Sequence, residues 1–515
     1  MTIHISPKHQ VVGVPYRTDV FNLFPHAKEI TFQGRPMLVV PHKIDETRML
    51  RNLGYDIPAP ILGQYDWEGG TPFEVQKKTA AMLTMNPRAY VLNGMGTGKT
   101  KASLWAWRYL NRTGQAGKCV VVAPLSTLNF TWSREIFQTL PGVTYQVLHG
   151  TKAKRLQRLA TDADVYIINH DGLSVIEEAL AKRTDIDTLI LDELAVYRNG
   201  TATRTKVTRK VAAKMKWVWG MTGSPTPNAP TDAWSQATII TPDTVPRYFG
   251  RFRDAVMQKL SQFRFIPKTN ALDLVYDALQ PSVRYTLDEV VELPDLIERT
   301  IDIEMGPTQL KVYKQMEEAA FALVKSKEIT AMNAGAVLNK LLQISTGYVY
   351  NREGQVIPLD NDLRLDALVD WVNSTSNKVI VFVPFVHALQ GVAERLTREG
   401  MDVRTVSGAT PRAERDATFA LFQNTQNVRV LAAHPQCMSH GLTLTSADTI
   451  IWFAPTTSLE IFEQANARIR RVGQRNKQQI LMFQATKAER KIYATLRTKQ
   501  KVQNMLLDMF QDATQ

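Results

Sequence analysis

Residues 89–100 constrain the fold of this chain more than any other stretch. An apolar run from Ala89 to Leu92 precedes Asn93 and three alternating glycines, then Lys99-Thr100 and the helical pattern KASLWAWRYL at 101–110. A strand, a glycine-rich turn and a helix in this order are typical of a phosphate-binding loop. The glycines let backbone N–H groups turn inward, and the helix N-terminus adds partial positive charge.

The loop residues carry distinct expected roles. Lys99 would reach the outer phosphates of a nucleotide, and the Thr100 hydroxyl would help to hold Mg²⁺. The usual spacing places a glycine five positions before Gly98, where this chain has Asn93. An ordinary glycine-rich turn is the alternative, and the motifs that follow in the chain distinguish the two interpretations. The residues expected to line the nucleotide site are Gly94, Met95, Gly96, Thr97, Gly98, Lys99 and Thr100.

Length and charge limit the class of protein. The 515 residues, 44% of them hydrophobic, are too many for one core and predict roughly two to four domains. No run approaches the ~20 apolar residues of a membrane span, and the N-terminus lacks the apolar core of a signal peptide, which predicts a cytoplasmic protein. The net charge of +13 favours a polyanionic partner, although it could also simply keep the surface solvated.

The first 66 residues predict a small α+β accessory domain without a readable motif. Strand signals occur at residues 30–32 and 37–40, and a helical stretch follows Pro41. The segment DIPAPILGQY at 56–65 is interpreted as a linker because its two prolines break regular elements.

From Pro72 onward, short apolar runs alternate with amphipathic helical patterns, which predicts a parallel sheet with helices on its faces. The strand TLILDE at 188–193 ends on Asp192 and Glu193. Ligands of such sheets gather beyond the carboxyl ends of the strands, so both acids should face the same crevice as Lys99. Asp192 could then hold Mg²⁺ and Glu193 could orient or deprotonate the attacking water. A solvated turn is the alternative.

The region after residue 228 is predicted to be mostly helical until about residue 290. It contains PRYFGRFRDAVMQKLSQFRF, which suits either a nucleic-acid surface or an amphipathic helix with arginines reaching to solvent. A second alternating region begins near Ile297, with a helical pair at 308–345. Its predicted strands are KVIVFVPF at 378–385, VRVLAAH at 428–434 and TIIWFAP at 449–455.

Three polar residues near the end of the chain are predicted to share one helix face. Gln464, Arg468 and Arg471 are spaced four and three apart. Two guanidinium groups on one face suit the charge that builds up on a transferring phosphoryl group. Because only the first half carries the loop and only the second carries these arginines, hydrolysis would be coupled to domain motion. A surface helix with ordinary salt bridges is the alternative.

The motifs in this order resemble the Swi/Snf-type branch of the superfamily-two helicase-like ATPases, over about residues 70–500. The motifs are Gln76, GMGTGKT at 94–100, APLSTLNFTWSREI at 123–136, LDEL at 191–194, TGSPTPN at 222–228, VFVPF at 381–385, VSGATPRAERDATFALF at 406–422, SHGLTLTSADTIIWFAP at 439–455 and QANARIRRVGQ at 464–474. Two departures are Asn93-Gly94, where the family has an acidic residue, and Leu194-Ala195, where Ala-His is common. Without appended reader domains, the chain looks bacterial or phage-encoded.

The resemblance implies an α/β fold of two RecA-like lobes, each a parallel sheet flanked by helices. We expect an N-terminal accessory domain at 1–66, a first lobe at 67–292 with a helical insertion at about 230–290, and a second lobe at 293–515 with a helical insertion at about 308–345.

The resemblance also implies a role for each motif residue. Gln76 would recognise adenine and Gly441 would lie in the nucleotide site. Lys99, Asp192, Glu193, Arg468 and Arg471 would be catalytic, the two arginines as arginine fingers, and Thr100 and Asp192 would bind Mg²⁺. Ser126, Thr127, Gly408 and Thr445 would contact the DNA backbone, a contact that positions the enzyme without reading sequence. Thr222, Ser224 and Gln464 would couple the nucleotide state to the grip on DNA.

The sequence therefore predicts an ATP- and Mg²⁺-dependent translocase on double-stranded or branched DNA. We expect a monomer that remodels forks and branched intermediates or displaces DNA-bound proteins such as RNA polymerase. Its expected location is the cytoplasm of a bacterium or phage-infected cell. A strand-separating helicase acting on DNA or RNA, and a basic DNA-binding scaffold with an inactive ATPase, are the alternatives.

Overall fold

The computed structural model describes residues 3–261, 264–290, 292–325, 331–350, 355–438 and 443–498. These residues form two compact units, and the boundary between them falls after Val290. Among the helices described, none is long and apolar enough to span a membrane.

The N-terminal region folds as a small antiparallel sheet with short helices. Its elements are β1 (His4–Ser6), β2 (Val11–Pro15), α1 (Thr18–Phe21), β3 (Lys28–Phe32), β4 (Arg35–Pro41), α2 (Ile44–Asn52) and α3 (Ile61–Gln64). The strand order is β1-β2-β4-β3. The two strands and the helix read from the sequence are present as β3, β4 and α2, whereas β1 and β2 were not predicted.

The linker interpretation of residues 56–65 is wrong. Ile57 packs into the core of the N-terminal sheet, whereas Ala59, Ile61 and Tyr65 pack into the core beneath the large sheet that follows. Pro60 directly precedes α3 and therefore does not interrupt that helix, and the apolar side chains of the segment bury against both cores. The N-terminal region is therefore fixed to the rest of the first unit.

The remainder of the first unit alternates strands and helices. Its elements are α4 (Glu74–Met85), β5 (Arg88–Val91), α5 (Lys99–Arg112), β6 (Lys118–Ala123), α6 (Arg134–Thr139), β7 (Tyr145–Val147), α7 (Lys152–Ala160), β8 (Val165–Asn169), α8 (Leu173–Leu180), β9 (Ile186–Asp192), α9 (Thr203–Ala212), β10 (Trp217–Met221), α10 (Asp232–Ile240), α11 (Phe249–Val256), β11 (Met257–Lys259), β12 (Phe265–Pro267), α12 (Ala271–Ala278) and β13 (Ser282–Val283). Between β6 and α6 lie a 3-10 turn, Leu125–Thr127, and a π-helical segment, Leu128–Ser133.

Seven of the described strands form one sheet in the order β13-β5-β10-β9-β6-β8-β7. Every pairing in it is parallel. In β6, Val120 and Val122 pack on one face while Cys119 and Val121 pack on the other. Strands covered on both faces are continuous apolar runs, which is why β6, β8 and β9 are readable in the sequence.

The predicted helical region at about 230–290 contains a short hairpin, β11–β12, as well as three helices. Helix α11 buries Phe252 and Val256 in the core of the first unit and leaves Arg251 exposed. The guanidinium of Arg253 lies 4.8 Å from the ring centroid of Phe265. This is the amphipathic arrangement that the sequence left as one alternative, and a nucleic-acid role for this surface stays a prediction.

The second unit is also a parallel α/β structure. Its elements are β14 (Leu296–Asp302), α13 (Pro307–Lys325), α14 (Ala331–Ser345), β15 (Tyr348–Tyr350), β16 (Val356–Pro358), α15 (Asp362–Asn373), β17 (Lys378–Phe382), α16 (Val386–Arg398), β18 (Val403–Val406), α17 (Arg412–Asn424), β19 (Val430–Ala433), β20 (Ala447–Trp452), α18 (Leu459–Asn466) and β21 (Gln478–Gln484). Residues 487–498 are helical. Six of its described strands pair in parallel in the order β14-β21-β20-β17-β19-β18.

A buried ion pair ties the helices of the second unit together. The Arg364 side chain on α15 is 2% exposed, that of Glu489 is 0% exposed, and their charged groups lie 2.7 Å apart. The Glu489 carboxylate also accepts hydrogen bonds from the Ser345 hydroxyl and from the backbone N–H groups of Ala485 and Thr486. Because both charges are desolvated, each depends on the other partner.

Candidate nucleotide-binding and hydrolysis site

Gly98, the residue before Lys99, occupies a position that only glycine can fill. Its φ angle is +79°, in the left-handed region, and helix α5 begins at the next residue. A Cβ atom at this position would lie 2.0 Å from Nε2 of Gln76. Both the backbone conformation and the available space therefore require glycine.

Lys99 is held over the phosphate loop, residues 93–98. Its Nζ donates to the carbonyl oxygens of Asn93, at 2.9 Å, and Gly94, at 3.0 Å. The Thr97 hydroxyl donates to the Gly94 carbonyl at 2.9 Å, which tightens the loop. Thr100 lies in the first turn of α5, where the helix leaves N–H groups without an intrahelical acceptor. The loop thus concentrates positive charge where phosphates would bind.

Asn93 supports the loop through its side chain. It is 2% exposed, and its Nδ2 donates to the Thr79 hydroxyl on α4 at 3.0 Å. Its Oδ1 accepts the backbone N–H of Tyr285 at 3.0 Å. The residue that departs from the usual glycine spacing therefore joins the loop to two neighbouring segments.

Gln76 is buried beside the loop. Its Oε1 accepts the Phe73 N–H at 2.9 Å and its Nε2 donates to the Thr97 carbonyl at 3.4 Å. The structure thus places the predicted adenine-recognising residue next to the loop with both amide atoms bonded to the backbone. Its role toward adenine stays a prediction.

Asp192 ends β9, and its carboxylate is fixed on both oxygens. The indole Nε1 of Trp132 donates to Oδ2 at 2.9 Å, and the Glu193 N–H donates to Oδ1 at 3.1 Å. Burial raises the pKa of Asp192, opposed by the Trp132 hydrogen bond, by the charge of Lys99 and by the Glu193 N–H. The structure therefore brings Asp192 into the electrostatic range of Lys99, as the sheet topology predicts.

Glu193 has a φ angle of +55°, which is unusual for a residue with a side chain. Such a backbone conformation costs about 1–3 kcal/mol, and residues held in it cluster at functional sites. It turns the chain out of β9 directly after Asp192. Gln10, Gln33 and Trp67 also have positive φ angles, so it is the position of Glu193 beside Asp192 at the carboxyl end of β9 that supports its predicted role.

The TGSPTPN segment lies against the same loop. The Thr222 N–H donates to the Val91 carbonyl at 3.1 Å, and the Thr222 hydroxyl accepts the Ser224 N–H at 3.2 Å. A Cβ atom on Gly223 would lie 3.6 Å from the Asn93 carbonyl oxygen. Both predicted coupling residues of the first unit are therefore buried close to the phosphate loop.

The two predicted DNA-contacting residues of the first unit differ in exposure. Ser126 is exposed, whereas Thr127 is 4% exposed and its hydroxyl donates to the Pro124 carbonyl at 2.9 Å. Leu125 beside them is also exposed. The 3-10 turn thus presents Ser126 rather than Thr127 to solvent.

The prediction that Gln464, Arg468 and Arg471 share one helix face is wrong. Helix α18 ends at Asn466, so only Gln464 lies on it. The Arg468 N–H already bonds to the Ala465 carbonyl in a tighter turn, and the Arg468 carbonyl accepts the N–H of Leu444. These backbone bonds turn the chain away from the helix axis.

Both arginines are nevertheless held by local contacts. Arg468 is 2% exposed, and its Nε donates to the Gln464 carbonyl at 2.6 Å. Arg471 is half-buried, donating from Nε to the Ala467 carbonyl and from Nη1 to the Thr443 hydroxyl at 3.1 Å. Desolvation lowers the pKa of Arg471 to about 10, so the side chain remains charged at pH 7.

The remaining predicted residues of the second unit lie in turns. Gly408 is exposed before α17, and the Thr445 hydroxyl accepts a hydrogen bond from Nε2 of Gln423 at 3.4 Å. Gly441 lies outside the described residues. Trp132 and Asn93 are contacts of the site whose roles the sequence did not reveal, because their partners are 60 and 192 positions away.

Asp192 and Thr100 are the residues predicted to hold Mg²⁺. In the described part of the chain, no group of three or more His, Cys, Asp and Glu residues could hold a metal ion. Mg²⁺ is usually bound through one or two carboxylates together with substrate phosphates. The Asp192 carboxylate and the Thr100 hydroxyl fit this pattern.

Family models match most of the two units. Residues 84–348 match the SNF2-related domain, and residues 363–473 match the helicase conserved C-terminal domain. The chain belongs to the SNF2-related family. This assignment confirms the Swi/Snf-type resemblance, the α/β fold class and the ATP-hydrolysing activity that the motifs predict.

Similar proteins come from a phage, a bacterium and an animal. Putative protein p41 of Acyrthosiphon pisum secondary endosymbiont phage 1 is 29% identical over 74% of this chain and 85% of its own length. An uncharacterized ATP-dependent helicase of Mycoplasma pneumoniae is 24% identical over 75% of this SNF2-related chain and 37% of its own length. The SWI/SNF-related matrix-associated actin-dependent regulator of chromatin subfamily A-like protein 1 of Xenopus tropicalis is 23% identical over 81% of this chain. The chain spans 43% of that protein, so it covers less than half of the last two relatives.

Among solved structures, the Sulfolobus solfataricus SWI2/SNF2 ATPase core in complex with dsDNA is 21% identical over 87% of this chain and 95% of its own, with a TM-score of 0.40.

Proposed function

We propose that the chain is an ATP-dependent translocase that moves along double-stranded or branched DNA without separating the strands. One observation supports the ATP-hydrolysing part of the proposal. The phosphate loop with Lys99, Asp192 with Glu193, and Thr222 lie at the carboxyl ends of β5, β9 and β10, which are neighbours in the sheet. This edge is where ligands of parallel α/β sheets bind.

Hydrolysis would be carried by residues of this edge. Lys99 leaves the loop carbonyls to bind the outer phosphates of ATP. Thr100 and Asp192 would hold Mg²⁺, which supplies charge neutralisation on the phosphates. Glu193, set beyond the end of β9, orients the attacking water and accepts its proton. Arg471 and Arg468, the arginine fingers predicted from the motif at 464–474, would supply guanidinium groups to the transferring phosphoryl group.

Charge and exposure support a DNA partner. The net charge of +13 favours binding to phosphates, with an affinity that falls as salt rises. Ser126, exposed at the 3-10 turn, and Gly408, exposed before α17, are suited to contacts with the DNA backbone. Such contacts position an enzyme on DNA without sequence preference.

The cellular task forms part of the same proposal. An enzyme that moves on duplex DNA can remodel forks and branched intermediates, and it can displace bound proteins such as RNA polymerase. The similarity to a phage protein supports action in a bacterial cytoplasm, either in the bacterium itself or after infection. We propose that the chain acts as a monomer.

Translocation and unwinding are separated by two displacement assays on matched substrates. The chain should release a triplex-forming strand from a long duplex in the presence of ATP, and the Lys99→Ala variant should not. On a forked duplex, the same preparation should release little single strand. Strand release without triplex displacement would favour a strand-separating helicase instead. DNA binding without ATP turnover would favour a scaffold.

A further inference from the structure

Trp132 donates its indole N–H to a carboxylate. The side chain is 0% exposed, and its Nε1–H donates to Oδ2 of Asp192 at 2.9 Å. Since the Glu193 N–H occupies Oδ1, the carboxylate cannot rotate without losing a hydrogen bond. A hydrogen bond to a charged group is also stronger than one between neutral groups.

Other buried tryptophans of the first unit make a different contact. The indole N–H of Trp107 donates to the Gly117 carbonyl at 3.0 Å, and that of Trp219 donates to the Asn86 carbonyl at 3.1 Å. These bonds satisfy backbone carbonyls of the fold. Trp132 instead bonds to a side chain at the carboxyl edge of the sheet.

The segment that carries Trp132 connects the site with the surface. Trp132 belongs to the π-helical segment Leu128–Ser133, which directly follows the 3-10 turn with the exposed residues Leu125 and Ser126. The Ser133 hydroxyl donates to the Leu128 carbonyl at 2.9 Å and spans the widened turn. Single π turns occur frequently at functional sites.

We propose that Trp132 is a positioning residue that orients the Asp192 carboxylate and transmits to it the contacts made by Leu125 and Ser126 with DNA. The proposal rests on the proposed function of the site. A duplex touching the exposed end of this segment shifts its buried end, and the shift reaches Asp192 through the indole N–H. Stimulation of hydrolysis by DNA is the consequence.

The first test measures nucleotide binding rather than turnover. The probe is a non-hydrolysable ATP analogue, titrated with and without Mg²⁺ into the wild type, Trp132→Phe and the control Trp107→Phe. The control loses the same ring volume and one buried indole hydrogen bond. We expect Mg²⁺ to increase the affinity of the wild type and of the control for the ATP analogue. For Trp132→Phe, this increase in affinity should be about 10-fold smaller. Turnover with DNA should fall roughly 10- to 100-fold in Trp132→Phe alone, the range for one hydrogen bond to a charged group.

If Trp132→Phe does not fold, β-(3-benzothienyl)alanine at position 132 keeps the shape of the side chain and replaces only the N–H. Equal behaviour of the position-132 variant and the control would overturn the inference. The proposed function would survive that result, provided that wild-type turnover is stimulated by DNA and abolished by Asp192→Asn. A wild type that binds no nucleotide would overturn both.

Transmission is tested by NMR of the protein labelled with ¹⁵N-tryptophan. The indole signal missing from the Trp132→Phe spectrum belongs to Trp132. Saturation with a short duplex should shift this signal and leave that of Trp107 in place. An unmoved Trp132 signal at saturation would overturn the transmission of DNA contacts to Asp192.

Discussion

Replacing Asn93 with glycine restores the usual spacing of a phosphate-binding loop, yet the structure predicts that it damages this one. The change removes the bond from Nδ2 to the Thr79 hydroxyl and the bond from the Tyr285 N–H to Oδ1, both 3.0 Å long. Because Asn93 is 2% exposed, water does not replace these bonds without rearrangement.

The loss of folding stability in Asn93→Gly can be estimated from the polar groups that lose a hydrogen-bond partner. Two lost hydrogen bonds cost about 0.5–1.5 kcal/mol each, and the Tyr285 N–H left without a partner adds a desolvation penalty. Glycine adds roughly 0.5–1 kcal/mol through the entropy of the unfolded chain. The sum is about 2–4 kcal/mol. At roughly 2–4 °C per kcal/mol, the melting temperature of the first unit should fall by about 4–16 °C.

Thermal unfolding of Asn93→Gly, Thr79→Ala and the double variant measures this cost. The Thr79 hydroxyl also donates to the Val75 carbonyl, so Thr79→Ala has a cost of its own. The two changes should be non-additive by roughly 0.5–1.5 kcal/mol because they remove one shared bond. An Asn93→Gly variant as stable as the wild type, or one that binds nucleotide more tightly, would refute the supporting role of Asn93.

Three further predictions address hydrolysis, stability and pH. Arg471→Ala should leave ATP binding near normal and lower turnover roughly 10³-fold. The control Arg475→Ala, at an exposed neighbouring position, should change turnover little. Equal effects of the two changes on turnover would refute the arginine-finger role. In urea unfolding, Glu489→Ala should cost about 3–5 kcal/mol because it leaves the Arg364 charge buried and unpaired. Adding Arg364→Met should recover only part of the loss, because the N–H groups of Ala485 and Thr486 still lack their acceptor. Burial lowers the pKa of His42 below 6.5, so the unfolded chain takes up the proton first as the pH falls. The melting temperature should therefore fall between pH 7.5 and pH 5.5, and should fall less for His42→Gln.

Buried parallel strands were the most predictable part of the fold. The sequence shows β6, β9 and β20 as continuous apolar runs because helices cover both faces of the sheet. The edge strands β7 and β18 were not predicted, since they are short and only partly buried. Without an apolar run or an alternating pattern, such strands are defined only by their pairing partner.

The candidate site was predictable where one local motif sets the geometry. The glycines around Lys99 and the acids that end β9 depend on backbone rules that act within a few residues. The end of α18 at Asn466 depends instead on the pairing of the Arg468 carbonyl with Leu444. The motif at 123–136 contains Trp132, but the bond from Trp132 to Asp192 joins distant positions, so the sequence does not show which group the indole contacts.

Steady-state ATP hydrolysis with different nucleic acids tests whether the chain is a translocase on duplex DNA. The wild type and Lys99→Ala would be compared without nucleic acid and with single-stranded DNA, linear duplex, a model fork and RNA. We expect the strongest stimulation by duplex or fork, and none in Lys99→Ala. Stimulation mainly by single strands or RNA, or an absence of turnover under every condition, would contradict a translocase on duplex DNA.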